Sequence, residues 1–385
     1  MSPLRICLVY DCLFPWTVGG AERWYRALAE RLVAEGHEVT YLTLRQWPAN
    51  GPPPVPGVRV VAVGPRLALY AGGRRRIVPP LVFAVGVGWH LLRHGRRYEV
   101  VHTASFPYFP LLVAAALRSR MRYRFVVDWW EVWTATYWRA YRGPVGGRIG
   151  WAIQRRCIRL RQRAFCFSRL HSHRLAADGM RGEPTLLTGV ASDLPSPGRP
   201  LAADPVVVYV GRHIPEKRVP SLVPAVAVAR RRLPELRATL FGDGPDRARV
   251  ERVVAAFDLR GVVALPGFVD EAVLDAALRR ALCVVLPSRR EGYGLVVVEA
   301  AARGTPSIVV AGADNAATEL IVEGVNGLVA PSSSAADLAS AILRVHDVGM
   351  PLRESTAAWF AANAERLSLS GSLDAVTAAY RDDEP

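Results

Sequence analysis

Cysteine is scarce and unpatterned. The five cysteines, Cys7, Cys12, Cys157, Cys166 and Cys283, are odd in number and scattered, with no C-x-x-C pair. That excludes a disulfide framework and a zinc site of the usual spacing, and the five read as buried free thiols in a reducing compartment. A secretory leader is also lacking: from Met1 the chain enters the strand-like segment Arg5 to Tyr10, without the charged region, apolar core and small-residue cleavage site such a leader needs. The expectation is a cytoplasmic chain. Long hydrophobic runs are missing too. The longest, Ile77 to Leu92, is interrupted by Pro79, Pro80, Gly86 and Gly88 and stops short of the roughly 20 residues a spanning helix requires.

What the chain has in excess is positive charge, with a formal +15 and a pI near 10.3 over 385 residues. The basic residues are mostly arginine and concentrate locally at Arg74 to Arg76, Arg93 to Arg97, Arg155 to Arg163 and Arg230 to Arg232. One reading is a solvated surface in an Arg-rich and Ala-rich chain. Another is an anionic membrane surface as partner, because Trp89, Leu91 and Leu92 flank basic residues as an interfacial segment would. On that reading the chain sits peripherally on the inner face of the membrane. Nucleic acid is not expected as a partner, since no binding motif accompanies the charge.

About half the residues are apolar, and a chain of this length exceeds one ordinary core, so two α/β domains are expected. Short β-branched runs alternate with helical periodicity, at Arg5 to Tyr10, His37 to Leu44, Val58 to Val63, Glu99 to His102, Phe125 to Asp128 and Ala164 to Phe167. Such alternation marks a parallel sheet wound by helices. Between the first two runs, Ala21 to Glu35 has helical spacing and ends at Gly36, a suitable C′ residue. The Pro-rich stretch Pro195 to Pro205 is the best linker in the chain. After it the rhythm restarts at Val206 to Val210, Arg237 to Phe241, Val262 to Leu265, Leu282 to Leu286, Ser307 to Val310 and Gly327 to Val329. The expected domains are 1–198 and 199–360, with a C-terminal helix in 361–385 packing back on the first.

A doubly wound sheet binds ligands beyond the carboxyl ends of its strands, and the loops there hold the motifs. In VYVGRHIPEKR, Val208 to Arg218, a strand runs into Gly211 and then presents Arg212 and Lys217 before a helix. Two cations beside a glycine turn at a helix N-terminus suit a pyrophosphate, although a strand end with solvated charges has the same composition. In PSRREGYGLVVVEAAA, Pro287 to Ala302, Gly292 and Gly294 precede an apolar helix that carries Glu299, with Glu291 ahead of it. This pattern sets backbone N–H groups and a helix dipole beside phosphate and leaves two carboxylates to accept from hydroxyls. The plain alternative is a capping and a surface glutamate. LFGDGPD, Leu240 to Asp246, leaves a strand through Gly242 and Gly244 and places Pro245 as the first helical residue. PGFV, Pro266 to Val269, precedes Asp270 as an N-cap, and TVGGAE, Thr17 to Glu22, sets Gly19 and Gly20 between strand and helix.

Taken in this order, GG, VGR with EK, GDGP, PGF and EGYGLVVVE resemble the large family four of retaining glycosyltransferases, which includes bacterial mannosyl-, glucosyl- and N-acetylhexosaminyltransferases. The resemblance covers most of the chain and is strongest from Val206 to Pro331, where TPSIVVAGADNAATELIVEGVNGLVAP is similar to the family's segment after its second glutamate. It implies the GT-B fold, α/β with two doubly wound Rossmann-like domains facing each other across a cleft. It implies an enzyme with no cofactor that uses a UDP-, GDP- or dTDP-sugar as donor and a sugar, lipid-linked or small-molecule hydroxyl as acceptor. Carried over by position, it places Arg212 and Lys217 on the diphosphate next to Gly211, Glu299 on the ribose, and Glu291 facing the donor sugar. Gly292, Tyr293, Gly294 and Leu295 would contact sugar and phosphate; Gly242, Phe268 and Val269 would border the base; Gly19 and Gly20 would close from the first domain.

The sequence departs from that pattern in one place. Many members carry a histidine in the loop after the strand ending here at Asp128, where this chain reads VVDWWEVW. Asp128 or Glu131 then orients the acceptor, or His102 does so from the neighbouring strand. No D-x-D run lies in a suitable loop, so no metal is expected. The dense aromatic segment Trp129, Trp130, Trp133, Tyr137, Trp138, Tyr141 and Trp151 suits either a sugar or lipid acceptor or a domain core. The rival readings are another GT-B enzyme, a nucleotide-sugar epimerase or a phosphorylase, and outside that class a basic binding protein with a degenerate donor site.

Overall fold

In the computed structural model, which describes residues 3–48, 55–71, 74–190, 194 and 199–381, the chain divides into two units. Unit 1 is Met1–Val190 with Ser370–Pro385, and unit 2 is Ala191–Leu369. The expected boundaries at 199 and 361 both lie inside unit 2, and residues 195–198 of the expected linker lie outside the described residues.

Unit 1 contains β1 (Arg5–Val9), α1 (Gly20–Ala34), β2 (Glu38–Leu44), β3 (Arg59–Gly64), a hairpin of β4 (Tyr70–Ala71) and β5 (Arg74–Arg75), α2 (Val78–His94), β6 (Val100–Ala104), α3 (Tyr108–Met121), β7 (Arg124–Trp129), α4 (Ala135–Ile158), β8 (Arg163–Cys166), α5 (Arg169–Ala177) and β9 (Thr185–Leu186). Seven strands form a parallel sheet in the order β3-β2-β1-β6-β7-β8-β9. Its direction of winding reverses between β1 and β6. Helix α1 shows how pattern becomes packing: Trp24, Tyr25, Leu28, Ala29 and Leu32 all turn inward, the stripe that a 3.6-residue period dictates. Gly36 ends it with φ 84°, donating its N–H to the Val33 carbonyl while His37 donates to Leu32, as a left-handed terminator does.

Unit 2 repeats the plan with β10 (Val206–Val210), α6 (Leu222–Ala229), β11 (Arg237–Phe241), α7 (Arg247–Ala256), β12 (Val263–Gly267), α8 (Glu271–Arg280), β13 (Cys283–Leu286), β14 (Arg290–Glu291), α9 (Leu295–Ala301), β15 (Ser307–Val310), β16 (Asp314–Asn315), β17 (Gly327–Ala330), α10 (Ala335–Val348) and α11 (Met350–Leu367). Its six-stranded parallel sheet runs β12-β11-β10-β13-β15-β17, with the reversal between β10 and β13. A last helix, α12 (Leu369–Ala379), carries the chain back to unit 1.

Three local expectations are corrected. Pro245 is not the first helical residue: it and Asp246 form a turn, and α7 begins at Arg247. Lys217 does not lead straight into a helix, because 3₁₀ turns at Pro215–Lys217 and Val219–Ser221 precede α6. Asp270 occupies the N-cap of α8, but its side chain makes no capping hydrogen bond.

Of the aromatic segment, Trp129, Tyr137 and Trp138 are buried, whereas Trp130, Trp133, Tyr141 and Trp151 are half-buried. Trp129 is wholly buried and donates from Nε1 to Gln162 at 2.9 Å. Trp130 stacks on Phe167 at 3.6 Å, and Trp138 is buried with Nε1 donating to Gln154 at 3.1 Å. All five cysteines are buried free thiols. No helix among the described residues is long and apolar enough to cross a membrane.

Candidate active site

Because all strands of unit 2's sheet are parallel, the loops after β10, β11, β12 and β13 emerge at one edge, and the reversal between β10 and β13 opens a crevice there. Three glycines let those loops approach one another. Gly211 leaves β10 at φ 155° and donates to the Phe241 carbonyl. Gly242 leaves β11 at φ 101°, and a Cβ on it would stand 2.1 Å from the Gly211 carbonyl oxygen. A Cβ on Gly244 would stand 2.4 Å from the His213 carbonyl oxygen. His213 is wholly buried, its N–H on the Asp243 carbonyl and its own carbonyl taking the Asp246 N–H. The two loops are thereby laced together.

Lys217 and Glu291 meet across the crevice. The Lys217 ammonium donates to Glu291 Oε1 at 2.6 Å, and the Ser288 hydroxyl donates to the same oxygen at 2.7 Å. Glu291 is buried while Lys217 is half-buried. Strand β14 pairs with β16, setting Glu291 opposite Asn315, whose side chain donates to the Val310 carbonyl at 2.7 Å. The β13 loop also donates from the Arg289 N–H to the Glu216 carbonyl. Tyr209 lies under the turn, its hydroxyl donating to the Arg212 carbonyl at 3.0 Å. Burial first and then the Glu291 carboxylate push that phenol well above the ordinary tyrosine value, with Arg212 opposing; one hydroxyl therefore lies in the fields of both groups.

Gly294, at φ 103°, is the N-cap of α9, and a Cβ on it would come within 2.6 Å of Ala317. Glu299 sits half-buried in the second turn of that helix, and Tyr293 and Gly294 are buried while Gly292 and Leu295 are partly accessible. Arg212 is exposed at the end of β10. Phe268 is exposed and Val269 half-buried just beyond β12. Unit 2 thus gathers Gly211, Arg212, Lys217, Gly242, Glu291 and the α9 N-terminus at one sheet edge. Sequence reasoning missed Ser288, Asn315 and Tyr209. One signal it could have used is that Lys217 is the only lysine in the chain, where every other basic side chain is arginine apart from eight histidines.

In unit 1 the residues offered for acceptor work fare differently. His102 and Asp128 are both wholly buried, with His102 Nε2 2.8 Å from Asp128 Oδ1, though out of line for a hydrogen bond. Asp128 Oδ2 accepts from Trp24 at 2.8 Å, and His102 Nδ1 lies 2.5 Å from the Tyr380 hydroxyl. Neither presents an atom to a ligand. Glu131 is half-buried in the loop after β7, its carboxylate accepting from Trp133 Nε1 at 2.7 Å. Gly19 caps α1 with extended backbone, and nothing stands within 4 Å of a Cβ built on Gly20. Asp11, which the motifs did not single out, is wholly buried at the end of β1 and ion-paired with Arg75 of the hairpin. Among the described residues no cluster of His, Cys, Asp and Glu could hold a metal ion.

Two family descriptions match the chain, "Glycosyl transferases group 1" over 198–358 and "Glycosyl transferase 4-like domain" over 19–191. It is 34% identical over 179 residues to the alpha-D-kanosaminyltransferase of Streptomyces kanamyceticus, which covers 46% of each chain. It is 34% identical over 187 residues to a glycogen synthase of Mycobacterium tuberculosis, 47% of this chain and 42% of that one. The chain therefore spans under half the length of these relatives. Sucrose-phosphate synthase from Thermosynechococcus elongatus has the same fold, with TM-score 0.80 at 22% identity over 98% of both chains. Anabaena HepE, solved with UDP and glucose, gives TM-score 0.71 at 16% identity over 98% of this chain and 99% of that one.

Proposed function

From the premise that the chain belongs to the GT-B glycosyltransferases of the group 1 and 4-like families, we propose that it moves a hexosyl or N-acetylhexosaminyl group from a nucleotide-diphosphate sugar to an acceptor hydroxyl, with retention and without a metal. The observation that carries this reading is the Lys217–Glu291 contact at the sheet reversal. An ammonium has three N–H donors, and the Glu291 bond uses one and aims the rest.

In this reading Lys217 and Arg212 neutralise the departing diphosphate, the N-terminus of α9 adds its dipole, and Glu291 faces the donor sugar. Glu299 accepts from the ribose hydroxyls, and Phe268 and Val269 border the base. The bond from anomeric carbon to phosphate oxygen breaks while the acceptor oxygen bonds to the same face of that carbon. The acceptor proton passes to the leaving phosphate. Catalysis is then positioning plus charge stabilisation. With His102 and Asp128 sequestered, Glu131 is the carboxylate that orients the acceptor.

The test is a panel of UDP-, GDP- and dTDP-sugars scored by thermal stabilisation, followed by transfer of labelled sugar with and without EDTA. A donor that binds only the native state raises the melting point. Stabilisation by one nucleotide class, with a labelled glycoside formed equally in EDTA, is expected. Release of only epimerised donor, turnover that requires phosphate, or activity lost in EDTA and restored by Mg²⁺ or Mn²⁺ would overturn it.

A further inference from the structure

We propose that the outward face of α2, with the adjoining rim of α3, docks on an anionic phospholipid bilayer. Helix α2 is apolar on two opposite sides. Phe83, Val87 and Leu91 are buried, and Gly86 lets the helix approach β3 so closely that a Cβ there would stand 1.8 Å from the Val63 carbonyl oxygen. The other side carries Val78, Leu81, Val85, Trp89 and Leu92, spaced three and four apart and therefore on one stripe. Val85 is 74% exposed, Trp89 58% and Leu92 52%. A helix apolar all round belongs in a hydrophobic surround, and this one faces solvent. Phe109, Leu112 and Val113 of α3 continue the surface across an open groove.

Charge identifies the occupant. Between Glu38 and Asp128 the only acidic residue is Glu99, against thirteen arginines, so most of the chain's positive excess lies in the segment bearing this stripe. Arg76 precedes α2, Arg93 lies in its last turn, Arg96 and Arg97 follow it, and Arg120 and Arg122 end α3; all six are exposed. The Arg93 guanidinium lies over the Trp89 ring at 3.9 Å, an aromatic and a cation placed where both meet a headgroup layer. A second copy of this chain would bring like charges together, and a nucleic acid would leave the apolar stripe in water. A sheet of acyl chains under anionic headgroups satisfies both features. Helix α2 has 17 residues and is not long and apolar enough to cross a membrane, so on this proposal it lies in the plane of the surface.

The experiment is flotation of the full chain with phosphatidylcholine vesicles, with and without phosphatidylglycerol, at low and high salt. Binding is expected only with phosphatidylglycerol and should weaken as salt rises. An Arg93→Gln/Arg97→Gln variant should lower partitioning about thirtyfold, since each arginine near the surface is worth roughly 1 kcal/mol, and a Val85→Ser/Trp89→Ser variant should lower it at least about tenfold by withdrawing apolar area from the bilayer. Unchanged melting points show that both variants fold. No flotation, equal binding to neutral vesicles, or wild-type partitioning by the variants would overturn the proposal. So would a concentration-dependent dimer abolished by the Val85/Trp89 change. The readout involves no sugar transfer, so the proposal stands or falls separately from the assigned activity.

Discussion

At the scale of single residues, Lys217 is the most informative position. In a chain that otherwise uses only arginine for permanent positive charge, one ammonium sits 2.6 Å from a buried carboxylate. Arginine is a planar fork, whereas lysine is a compact point charge with rotatable donors. On the proposed mechanism, the Lys217→Ala enzyme should lose roughly 10²-fold or more in kcat, the cost of removing a donor that faces developing charge. Lys217→Arg should rescue little of it, and steady-state kinetics with the chosen donor will show both. Glu299→Ala should instead weaken nucleotide binding with a smaller effect on turnover, read by isothermal titration with the nucleoside diphosphate. Both positions were singled out in the sequence because glycine, charge and helix signals stand together there. Asn315 was not, because the β14–β16 pairing brings it opposite Glu291, which no local pattern announces.

At the scale of elements, α2 carries a titratable group on its inner face. His90 Nε2 lies 2.8 Å from the Tyr98 hydroxyl, and burial, aided by His94 and Arg59, lowers its pKa to about 4. The unfolded chain binds a proton at its ordinary value near 6.5 that the folded chain refuses. Stability contributed by the neutral ring is therefore full above pH 6.5 and falls as pH drops toward about 4, by on the order of 2 to 3 kcal/mol. The difference in melting point between wild type and His90→Gln should change across that window and be flat above it. A difference constant with pH would reject the assignment. Most strands and α1 were legible from periodicity, since one buried face imposes its spacing on the sequence. The 3₁₀ turns before α6 and the turn at Pro245 were not, because backbone bonds between the β10 and β11 loops shape them.

At the scale of the whole molecule, the chain leaves unit 1 and returns to it through α12. Tyr380 is wholly buried there, its hydroxyl beside His102, while its carbonyl accepts from the Arg124 guanidinium. Tyr380→Ala should cost unit 1 about 3 to 5 kcal/mol, as other large-to-small changes at buried aromatics do. Nucleoside diphosphate binding by unit 2 should survive, and calorimetry with and without nucleotide will separate the two. The same burial explains why His102 and Asp128 looked available in the sequence: a polar residue at a strand end reads alike whether it faces a ligand or a returning helix. The sequence by itself determined two doubly wound sheets and the glycine-bearing loops at their edge, because strand period, helix stripe and glycine turns are local constraints written residue by residue. Only the tertiary structure decided that Lys217 meets Glu291, that Trp129 and Trp138 pack inward, and that one face of α2 stays uncovered. Those outcomes depend on which distant segments arrive beside them.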